Sequence, residues 1–156
     1  LQAAAAENST QSSDYNLTMN KLVHEETVSK LLPSDVNKRQ VIEVSTFNGS
    51  PALYFKWEDG ITCEEWLDKV RKQQQTNSQK EPVTFTVRLR AAVSIAKTLT
   101  QFHQSRVVYN SLTLENIVLT PFEGDYLATF IDLSDAVICS DEQTFDERKG
   151  EDLMNL

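Results

Sequence analysis

Residues 107–119, VVYNSLTLENIVL, hold the side chains Asn110, Ser111, Thr113 and Asn116 in a polar interruption between two β-branched runs, and TFIDLSDA (129–136) follows with Asp132 at the end of another such run. The chemistry open to these groups is limited. A serine hydroxyl becomes a nucleophile only with a base beside it, and near neutral pH it cannot itself serve as a base. No histidine follows Ser111 nearby to activate it. Taken alone, Asn116 reads as a residue closing a turn and Asp132 as an acid at the end of a β segment. His24 and His103 are isolated, the latter near a predicted helix end where a cation suits the dipole. Cys63 and Cys139 have no Cys or His neighbour at metal-ligand spacing, so neither a disulfide framework nor a zinc site is expected.

The chain has 156 residues, of which 40% are apolar, enough for one domain with one core. Its net charge of −8 disfavours nonspecific attraction to nucleic acid or anionic membrane, so neither is expected as a partner. No apolar run approaches the ~20 residues that span a bilayer, and LQAAAAENST lacks the basic start and apolar core of a secretory signal. The chain therefore reads as intracellular, in the cytoplasm. The N-x-S/T tripeptides at Asn8, Asn16 and Asn48 read as chance occurrences.

The elements that must position the polar loop can be read from periodicity. Residues 1–18 are small and polar and read as a disordered tail or linker. From Met19 to Leu32, Leu22, Val23, Val28, Leu31 and Leu32 fall at roughly helical spacing, ended by Pro33. VIEVSTF (41–47) and PALYFKW (51–57) flank Asn48-Gly49 and predict a β-hairpin. CEEWLDKV (63–70) predicts a helix, and RKQQQTNSQKEP (71–82) a solvated loop. Residues 83–104 carry the strongest helical pattern, with Val87, Ala91, Ile95, Thr98, Leu99 and Phe102 on one face. NIVLTPFEGDYLATFIDL predicts a second hairpin around Glu123-Gly124-Asp125. SDEQTFDERKGED (140–152) reads as a charged loop, with a helix beginning at the final DLMNL.

The order of these pieces resembles part of a protein kinase. ALYFKWEDGITCEEWL (52–67) is similar to the strand, hinge and first large-lobe helix of kinase-like domains, VVYNSLTLENIVL to the catalytic loop H-R-D-L-x-x-x-N, and TFIDLSDA to the strand before D-F-G. The resemblance implies an α+β fold of protein kinase type, partial in extent: residues 19–58 as an incomplete small lobe with hinge, and 59–156 as the start of the helical large lobe. It places Phe55 at the gatekeeper and Lys56, Trp57 and Glu58 at the hinge facing adenine, with Val118 also in the nucleotide pocket. Asn116 and Asp132 stand at the two magnesium-holding positions. Ser111 occupies the position of the catalytic Asp, Asn110 that of the Arg, and Thr113 that of the Lys two residues beyond the base. Glu25 is the candidate for the small-lobe helix glutamate, and Asp152 matches the buried Asp of the large-lobe anchor helix, which in the family accepts hydrogen bonds from the catalytic-loop backbone.

What the resemblance implies about activity follows from these departures. Loss of a general base costs ~10² to 10⁴ in rate, and nothing in the chain resembles G-x-G-x-x-G or the lysine strand that holds the α and β phosphates. Only 20 residues separate Asp132 from Asp152, with no A-P-E between them. Tyr109 and Leu133, at the family's His and D-F-G Phe positions, are apolar plugs suited to a retained scaffold. The expectation is a pseudokinase-type regulatory or scaffolding module in signalling, with ATP and Mg²⁺ binding weak or absent and its partners other domains of a larger protein or separate proteins. Two alternatives stand beside it: an active serine/threonine kinase whose missing parts lie outside this chain, or an unrelated α+β interaction domain.

Overall fold

A computed structural model describes residues 2–75 and 84–154. It is an α+β structure, with four α-helices and three small antiparallel sheets among the described residues. Helix α1 (Gln2–Leu31) leads into the hairpin β1 (Val41–Phe47) and β2 (Ser50–Phe55). The two-residue strand β3 (Ile61–Thr62), α2 (Cys63–Gln75), α3 (Phe85–Gln104) and β4 (Val107–Val108) come next. A single 3₁₀ turn, Leu114–Asn116, precedes the hairpin β5 (Ile117–Phe122) and β6 (Asp125–Phe130). The short strand β7 (Val137–Ile138) and α4 (Glu142–Met154) close the described chain.

Both predicted hairpins form, each for a visible backbone reason. Asn48 and Gly49 adopt φ of 52° and 80°, and Glu123 and Gly124 adopt 49° and 82°. Two consecutive left-handed residues give the turn whose twist matches that of paired strands. The second turn is thus Glu123-Gly124, with Asp125 already in β6 and opposite Phe122.

Helix α3 is the spine the periodicity predicted. Ala91, Ile95, Thr98, Leu99 and Phe102 are buried at i, i+4, i+7, i+8 and i+11, and Thr84 caps the helix through its hydroxyl and the Val87 N–H. Strand order β3-β5-β6 leaves β6 at an edge, and α3 covers it. The Ser94 hydroxyl accepts from the Ala128 N–H and the Thr98 hydroxyl donates to the Ala128 carbonyl, both at 2.9 Å. Two polar side chains one helical turn apart therefore satisfy groups that an uncovered edge would leave open.

Three expectations are corrected. The helix expected from Met19 begins at Gln2, so residues 2–18, read as tail or linker, belong to α1; the run of alanines at 3–6 has the highest intrinsic helix propensity and favours helix where apolar anchors are few. Helix α2 continues through Arg71 to Gln75 rather than ending at Val70; the rest of the expected loop, 76–82, and Val83 lie outside the described residues. Residues 142–152, read as charged loop, are helical. Asp141 caps that helix, accepting the Thr144 N–H at 2.8 Å. Its charged composition hid a narrow buried side formed by Phe145 and Asp152.

The main core joins Val28 of α1 and Leu32 just after it, Trp66 and Val70 of α2, the buried face of α3 and the inner face of β5–β6. Trp66 packs edge-on against Tyr126 and donates its indole N–H to the Tyr126 hydroxyl at 3.1 Å. A smaller cluster of Val108, Cys139 and Phe145 sits where β4 meets β7. Both cysteines are buried and free.

Candidate functional site

The pairing of β4 with β7 sets two loops side by side, 109–116 and 132–136. The first is built on an aromatic anchor. Tyr109 is fully buried, its ring 4.7 Å from that of Phe130 and 5.6 Å from that of Phe102, and its hydroxyl donates to the Asn116 carbonyl at 3.3 Å. Burial pushes its phenol far above the ordinary range, so it stays neutral.

A buried carboxylate fixes the start of this loop. Asp152 is 0% exposed; its two oxygens accept the backbone N–H groups of Tyr109 and Asn110, each at 2.8 Å. The His103 Nε2 lies 2.9 Å from Asp152 Oδ2. Helix α4 thereby clamps the loop's backbone, the role that the kinase resemblance assigns to this residue. His103, isolated in the sequence, has its partner 49 residues away in the chain.

The remaining contacts tie the two loops together. Asn116 Nδ2 donates to the Ser111 carbonyl at 3.1 Å, and the Asn116 carbonyl accepts the Ile131 N–H at 2.9 Å. Asn110 Nδ2 donates to the Asp135 carbonyl at 3.1 Å, and the Ser111 hydroxyl donates to Asp135 Oδ2 at 3.3 Å. The sequence reading found no partner for Ser111; the partner is a carboxylate from the facing loop. Asn110 and Asp132 both have φ of 62°, a left-handed conformation that Asn and Asp tolerate better than most residues.

Asp132 is half-committed. Its Oδ1 accepts both the N–H and the hydroxyl of Ser134, at 3.1 and 2.6 Å, while Oδ2 has no hydrogen-bond partner among the described residues. The next residue, Leu133, is buried as expected of a plug, and donates its N–H to Glu25 Oε1 of α1 at 3.1 Å. Glu25 is no solvated helix charge: at 7% exposed it shares the buried face of α1 with Val28 and Ser29. Burial raises its carboxyl above the ordinary value, against the smaller opposing effect of the Leu133 bond. His24 beside it makes a 2.7 Å contact from Nε2 to the Ala136 carbonyl, which places its proton on Nε2.

The hinge residues meet in one place. Phe55, Lys56, Trp57, Glu58 and Val118 line a single cavity of about 480 Å³, with Gly60 and Ile131, a size suited to a small ligand. The Lys56 N–H bonds the Gln40 carbonyl at 2.9 Å, whereas the backbone groups of Trp57 and Glu58 have no hydrogen-bond partner among the described residues. Trp57, though it lines this cavity, is 81% exposed. A second cavity, of about 460 Å³, is lined by Lys21, Glu25, Arg39, Phe55, Asp132 and Ser134. Arg39 and Phe55 line both. Ser111 and Asn116 line neither; they lie behind Asp132, joined to it through the Asn116–Ile131 bond.

No family model matches the chain, and no curated protein matches it in sequence. Among the described residues no helix is long and apolar enough to cross a membrane, and no three His, Cys, Asp or Glu side chains gather as a metal site. Asp132 lines the second cavity, whereas Asn116 lines neither and donates its amide N–H to the Ser111 carbonyl, so a magnesium ion at Asp132 would need phosphate oxygens, the usual mode for Mg²⁺, to complete its shell.

Proposed function

We propose that the chain is a protein kinase-like module without phosphotransfer activity, which binds an adenine nucleotide in the hinge cavity and serves a regulatory or scaffolding role in intracellular signalling. The observation that carries this reading is a pair of adjoining cavities. The one whose Trp57 and Glu58 backbone groups have no hydrogen-bond partner among the described residues shares Arg39 and Phe55 with the one lined by Asp132, and the loop clamped by Asp152, outside both linings, carries Ser111 at the position that the resemblance gives to the base. A nucleotide would be held through the backbone at Trp57 and Glu58 and against Phe55 and Val118. Asp132 would supply an oxygen to its magnesium, whose chemistry is to neutralise phosphate charge. With no base at residue 111 and no glycine-rich loop in the chain, binding is not followed by transfer.

The test is thermal unfolding with ATP and Mg²⁺. Ligand that binds only the folded state stabilises it by RT ln(1 + [L]/Kd) and so raises Tm with the logarithm of its concentration, and Asp132→Ala removes the magnesium-dependent part of the rise. A protein whose Tm is indifferent to ATP at millimolar concentration would refute nucleotide binding.

One contact favours the reading of an active serine/threonine kinase completed by parts outside this chain: Asp135 brings a carboxylate 3.3 Å from the Ser111 hydroxyl. On that reading phosphate incorporation into a generic substrate is lost on Asp135→Asn as well as on Asp132→Ala; incorporation that survives both excludes it.

A further inference from the structure

Two side chains, Arg39 and Phe55, line both cavities, and Arg39 is the charged one. Arg39 is held by its backbone, whose N–H donates to the Phe130 carbonyl at 2.9 Å beside the end of β6. From that fixed origin the guanidinium reaches over the Phe55 ring, 4.9 Å from its centroid. It faces the hinge cavity on one side and the cavity of Lys21, Glu25 and Asp132 on the other.

The charge of Arg39 reaches Glu25, whose carboxyl it draws down against the larger effect of burial, but no ion pair closes between them. No carboxylate among the described residues lies within 4.0 Å of the Arg39 guanidinium, although five other ion pairs do form. Its N–H donors make no described hydrogen bond. Glu25 is committed to Leu133 and one Asp132 oxygen to Ser134. Arg39 is thus a planar array of donors, aimed at an open cavity, half-buried, and accompanied there by the exposed Lys21.

We infer that Arg39, approaching from the segment before β1, is the cation that receives the phosphates of the bound nucleotide. This rests on the nucleotide-binding reading and supplies what that reading lacks, a positive charge beside Asp132 in a chain without a strand lysine. A guanidinium suits the task because it can grip two phosphate oxygens at once. Its place beside the gatekeeper ring puts it between base and metal ligand, where a polyphosphate must pass. The ligand class that follows is a nucleoside di- or triphosphate in preference to the nucleoside.

The experiment compares adenosine, ADP and inorganic tripolyphosphate by calorimetry, with EDTA present so that no metal bridges the phosphates. Wild type binds ADP more tightly than adenosine by roughly 10- to 100-fold, the weight of a charge-assisted contact. Arg39→Gln removes that preference and leaves adenosine affinity within about twofold. Arg39→Lys, which keeps the charge and the fold while losing the fork, retains part of it and carries the comparison if the glutamine variant does not fold. Equal affinity for ADP and adenosine in wild type, or a preference that survives R39Q, overturns the inference while the hinge reading stands. Failure of adenosine and ADP alike defeats the hinge reading; tripolyphosphate binding that R39Q abolishes then keeps Arg39 as an anion site, and its absence removes that too.

Discussion

Asp152 offers the sharpest test of how the polar loop is held. The carboxylate is fully buried and collects three donors, the N–H groups of Tyr109 and Asn110 at 2.8 Å and His103 at 2.9 Å. Asp152→Ala strands all three in a space too enclosed to rehydrate freely. A buried donor without a partner costs about 1–3 kcal/mol, so the loss over three donors is about 3–9 kcal/mol, a large share of the ~5–15 kcal/mol typical of a domain. Asp152→Asn keeps one accepting oxygen but points an amide N–H₂ at the other backbone donor, and should cost about 2–3 kcal/mol. Urea unfolding gives these differences, and amide hydrogen exchange localises them: Tyr109 and Asn110 lose protection in both variants before the β5–β6 ladder does. A D152A protein within about 1 kcal/mol of wild type, with both amides still protected, would show that the loop is held by its aromatic anchor alone and that the clamp is incidental.

Two further outcomes follow from burial and close approach. Glu25 has its carboxyl raised above 4.5, chiefly by desolvation, so the folded state holds that proton longer than the unfolded chain does; stability falls as pH rises from about 4.5 through the raised value and is constant beyond it. Glu25→Gln, which keeps an acceptor for the Leu133 N–H, flattens that decline in a series of urea unfolding curves; a parallel pH dependence in the variant would remove Glu25 as its source. At Gly60 an added Cβ would lie 2.8 Å from the Leu119 carbonyl and 2.7 Å from Val118 Cγ1, so Gly60→Ala displaces the hinge from β5. It should cost about 1–3 kcal/mol and weaken adenosine binding, and an alanine variant equal to wild type in both would mean that the cavity wall yields easily.

The elements most legible in the sequence are those whose signal is local. The turns at Asn48-Gly49 and Glu123-Gly124 declare themselves through Asn48 and the two glycines, which adopt positive φ readily, and α3 through an apolar stripe sustained over three turns. Helix α4 was hidden because its anchoring group is a charged residue, Asp152, and its apolar content is little more than Phe145. The site divides along the same line. Residues 55–58 and 118 converge on one cavity as their order suggested, whereas Arg39 and Asp135 carry no motif. Their importance comes from what lies opposite them, and for Glu25 and His24 the opposite groups are 108 and 112 residues away. Trp57 shows the converse: a large ring suggests packing, but a chain crossing between strands can leave it in solvent.

Adjacent residues of α1, His24 and Glu25, grip the 132–136 segment at two points, Ala136 and Leu133. Because each residue turns a helix by about 100°, even a small roll of α1 about its axis would release both grips together. Asp132, next in the chain to the gripped Leu133, is consequently geared to the long helix, and a push on the outer face of that helix would turn it from well away from any ligand.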